Sequence, residues 1–111
     1  MLRTSESEHD SHRLFQEQCC ACACKHLAKA WSIFFEIRNG HPEDEWRMMG
    51  EIANAEDHVC IDYPDLAKDI RAARTSYEVV KIPVPFGELI AKVIERDNAT
   101  AMAQLKERGL A

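Results

Sequence analysis

The chain has 111 residues, 46% of them hydrophobic and 30% charged, which suits one modest core and argues against extended disorder. Its 14 basic and 19 acidic side chains give a formal charge of −5, and no Lys/Arg cluster asks for nucleic acid. No apolar run nears the about 20 residues that span a bilayer, so no membrane role is expected.

MLRTSESEHD at the start is polar and acidic, unlike the apolar stretch of a signal peptide, and predicts a flexible arm over residues 1–10. The domain proper is expected over residues 11–111, in the cytoplasm. Thiols stay reduced there, so the five cysteines read as ligands, core fillers or redox groups rather than a disulfide framework.

The first and longest helix is predicted from Asp10 or Ser11, either of which can cap it, to about Asn39, where Asn-Gly stops it. Cys20, Cys24, Leu27, Trp31, Phe34 and Phe35 form one apolar stripe. Phe15, Cys19, Cys22, His26, Ala30, Ile33 and Ile37 form a second. Together they cover more than half the circumference, as suits a central helix touched by several neighbours. A second helix is expected from Pro42 to about Val59, burying Met48, Met49, Ile52, Ala53, Ala55 and Val59. A third runs from Pro64 to about Glu78, with Leu66, Ile70, Ala73 and Tyr77 spaced three or four apart.

VVKIPVPF, residues 79–86, holds two prolines that forbid a central strand and predicts an extended crossing segment. It covers the core or meets a partner. Two short helices then follow, about 87–96 and 100–108, with Asn98 or Thr100 as cap and Gly109 as stop. The fold class is therefore all-α: a compact bundle of three main helices plus a C-terminal helical pair.

CCACACKH, residues 19–26, is the unusual feature. Cys19, Cys22 and His26 fall within about 60° of one another on a helical wheel, at the border of the apolar arc. Three such donors on one strip suit Zn²⁺, with one further ligand. Glu56 is the preferred fourth, because it lies inside the second helix's apolar arc, where a carboxylate must be paired, protonated or metal-bound. Cys60, Glu51, His58 and His41 are the alternatives. The competing reading of Glu56 is an ion pair with Lys29, Arg71 or Arg74. Cys20 and Cys24 read as plain core packing.

The C-x-x-C at Cys19–Cys22 also raises thioredoxin-like chemistry. That chemistry places the pair at a helix N-terminus in a strand-rich fold, whereas here it is predicted two turns inside a helix. Glu36, Glu51, Glu56 and His58 fall short of a di-iron site, which needs Glu-x-x-His motifs on two helices. Trp31, Phe34 and Phe35, at helical spacing, read as core. Phosphate loops and nucleophile elbows are absent.

C-x-x-C-x-x-K-H at Cys19–His26, His41-Pro42 and G-E-I-A-x-A-E-D at Gly50–Asp57 together resemble small uncharacterised proteins of phages and bacteria, over roughly the first half of the chain. There the position after the glycine tends to be His, whereas this chain has Glu51. The resemblance implies a phage accessory or host-directed role, in the host cytoplasm, and carries no activity.

Three functions follow. The first is a zinc-stabilised helical protein that binds another protein or forms a homodimer. The second is a metal-dependent enzyme with Glu56 as general base. The third is a metal-free helical interaction domain.

Overall fold

A computed structural model describes residues 19–109 of the chain. The arm expected over 1–10, the start of the first helix at Asp10 or Ser11, and Phe15 lie outside the described residues.

Among the described residues the structure is all-helical. Helix α1 spans Cys20–Arg38, α2 Glu45–Asp57, α3 Pro64–Val80 and α4 Phe86–Glu107. A short 3-10 turn, Pro42–Asp44, leads into α2. Helix α1 packs on α2 and α4, and α2 packs on α3.

Most boundaries follow local chemistry. Helix α1 stops at Arg38 because Asn39 caps it and Gly40 takes a φ of 105°, which only glycine adopts without strain. Pro42 and Pro64 each open a helical turn, where a missing N–H costs nothing. Helix α3 runs two residues past the expected Glu78 and closes on Lys81, held left-handed at φ 58°. Ile82 then precedes Pro83, whose ring pushes it out of helical conformation.

The segment between α3 and α4 is extended, as its prolines require. Val84 and Phe86 anchor it in the core, while Ile82 is left exposed.

The C-terminal pair is one continuous helix rather than two. Between Glu88 and Arg108 no Gly or Pro breaks the run, and Ala99, Ala101 and Ala103 favour its continuation. Thr100 hydrogen-bonds Tyr63 at 3.3 Å instead of capping a new helix, and Arg96 pairs with Asp65 of α3.

One core joins all four helices. Leu27, Met48, Ile52, Ile70, Phe86 and Val93 are among its essentially solvent-free members. The second half of α4, beyond Thr100, extends past this core and is exposed throughout.

Candidate functional site

The proposed zinc ligands do not meet. Among the described residues, no three His, Cys, Asp or Glu side chains converge as a metal site needs. Each expected ligand has other work to do. Cys19 is the N-cap of α1, in extended conformation, and its Sγ accepts the backbone N–H of Cys22 at 3.1 Å. Its own N–H donates to the His58 carbonyl at 3.1 Å, tying the start of α1 to the end of α2. Cys22 is buried on the α1 face. His26 turns toward α2, where Nδ1 donates to Glu51 Oε1 at 2.7 Å, and its ring stacks on His58 with centroids 5.1 Å apart.

Glu56 is buried, as its position in the apolar arc demands, and it is neutralised by arginine. Arg71 donates to Oε2 through Nε and an Nη at 2.9 and 2.5 Å, and Arg74 donates to Oε1 at 3.2 Å. Both carboxylate oxygens are thus committed to α3. This removes the zinc reading and the metal-dependent enzyme reading together, since Glu56 is neither a ligand nor a poised base.

The alternative fourth ligands are dispersed too. Glu51 holds His26 and, at 3.6 Å, Lys29. Cys60 is exposed and donates to the Asp57 carbonyl. His41 pairs with Glu43 at the turn.

The redox motif is placed otherwise than the sequence suggests. The described helix begins at Cys20, so Cys19-x-x-Cys22 straddles a helix start, where a thiolate gains from exposed N–H groups. Yet Cys19 is 1% and Cys22 6% exposed, which closes both sulfurs to an attacking disulfide. No disulfide joins any of the five cysteines. Burial, with help from Asp97, pushes the Cys20 thiol up to about 11, and burial raises Cys24 as well. Both are inert at neutral pH and pack as core, as their stripe predicts.

What the structure leaves open is a surface. Trp31 is 39% and Phe35 50% exposed, against the expectation that this aromatic stripe is core. They stack on each other, Trp31 stacks also on Phe86, and Trp31 lies beside Gly87 at the start of α4. The helices run antiparallel, since Trp31 meets the start of α4 while Cys20 and Cys24 feel Asp97 near its middle.

On α1 the outward flank reads Ala21, Cys24, Ala28, Trp31, Phe35, at spacings of three and four. On α4 the adjoining flank reads Gly87, Ala91, Ile94, Asn98, Ala101, Leu105, at the same spacings. Every member is exposed except half-buried Cys24, and none is charged. The opposite flank of α4 faces α3, where Lys92 pairs with Asp69 and Arg96 with Asp65. The uncharged flank is therefore the one pointing away from the rest of the bundle. Its signal in the sequence was an apolar arc on α1 too wide for two neighbours, and the seven-residue rhythm of α4.

No protein-family description, curated protein or solved structure matches this chain.

Proposed function

We propose that this chain is a metal-free helical domain that acts by protein association through the α1–α4 face. The single observation that carries the reading is that face: eleven positions at three-and-four spacing on two adjacent helices, uncharged, in a chain that is 30% charged. Apolar surface of this extent costs free energy in water and is recovered when a partner covers it. Paired helices with such a seam accept helical partners, whose side chains lie along the groove between them. The rest of the molecule supports a binding role over a catalytic one, since its buried carboxylate and two of its buried thiols serve packing and ion pairing.

Five thiols without a disulfide fit the reducing cytoplasm. Among the described residues no helix is long and apolar enough to cross a membrane.

The test is site-specific photo-crosslinking in living cells. A benzophenone side chain at Ala91 should yield a discrete covalent adduct to protein, and the same group at Val79, also exposed but on α3, should not. Absence of an adduct specific to position 91 overturns the reading.

A further inference from the structure

We draw no further inference here: the strongest candidate, the uncharged outer face that α1 and α4 share around Trp31 and Ala91, belongs to the site already described, and nothing in the structure shows what covers it.

Discussion

Replacing Glu56 with alanine tests the central correction, that arginines and not an ion neutralise this buried carboxylate. Breaking a fully buried ion pair by removing one partner costs about 3–5 kcal/mol. Here the loss is smaller, because the two cations differ in exposure. Arg71 is 68% exposed and regains water when released, so its share is that of a surface pair, at most about 1 kcal/mol. Arg74 is 27% exposed, and its buried Nε already has no partner among the described residues. Stripping Oε1 from it leaves a part-buried guanidinium with the longer pair to Glu78, at 3.8 Å, and costs about 1–2 kcal/mol. The sum is about 1–3 kcal/mol, or a fall in Tm of about 5–20 °C for a chain of this size. Thermal melts followed by circular dichroism read it directly. Glu56→Ala with Arg74→Met together should recover part of the loss, because the orphaned cation goes with its partner. Chelator should leave the wild-type melt unchanged. A fall under about 4 °C for Glu56→Ala, or a wild-type melt lowered by chelator, would refute the arginine account.

The other expectations are more local. Acid should destabilise the fold through Glu45 and Asp65. Hydrogen bonds from Tyr77 and Lys81 hold Glu45 below its usual range, and Arg96 does the same for Asp65. A carboxylate lowered by folding adds stability above its unfolded value and loses it as pH falls, so denaturant midpoints should drop from about pH 5 toward 3, less so in Asp65→Asn. Alkali acts through Cys20, raised from 9.0 to about 11. The unfolded thiol ionises first, so this stability is whole below about pH 8.5 and shrinks through pH 9 to 11, and Cys20→Ala should flatten that limb. Gly50→Ala, at an exposed mid-helix site with no atom within 4 Å of a new Cβ, should raise stability by about 1 kcal/mol, or Tm by about 5 °C. Iodoacetamide on the native chain should label Cys60 first, with Cys19, Cys20 and Cys22 protected until unfolding; early label on Cys19 would reopen the redox reading.

The all-α class was legible because prolines, Asn39-Gly40 and apolar spacing each act over a few residues. The split of α4 was misread for the same reason. Asp97, Asn98 and Thr100 are good caps, but a cap only offers a place to start and does not force a break, and the contact of Thr100 with Tyr63 holds the helix through that point. Glu56 was legible as a buried carboxylate needing a partner. Its partner was not, because the spacing within α2 says nothing about which neighbour faces it. Arg71 and Arg74, one turn apart on α3, were weighed as the competing pair, and the packing of α2 on α3 decided for them. The thiol strip misled most, since shared direction on a wheel is necessary for a metal site and far from sufficient. Cys19 caps, His26 is drawn to Glu51, and the strip is divided among separate tasks.

The wide apolar arc of α1 links fold to function. An arc over more than half a helix calls for neighbours on more than two sides, and α1 has two helical neighbours among the described residues, α2 and α4. The inner part of the arc, Ala23, Leu27, Ala30 and Ile33, is consumed by them and is solvent-free or nearly so. The outer part, Ala28, Trp31 and Phe35, is not, and α4 extends that exposed part with six uncharged positions of its own. Selection for stability alone would place charge there at little cost, as it does on the exposed α4 positions Glu88, Lys92 and Glu95 one helix flank away. That uncharged outer face is what the proposed association would cover.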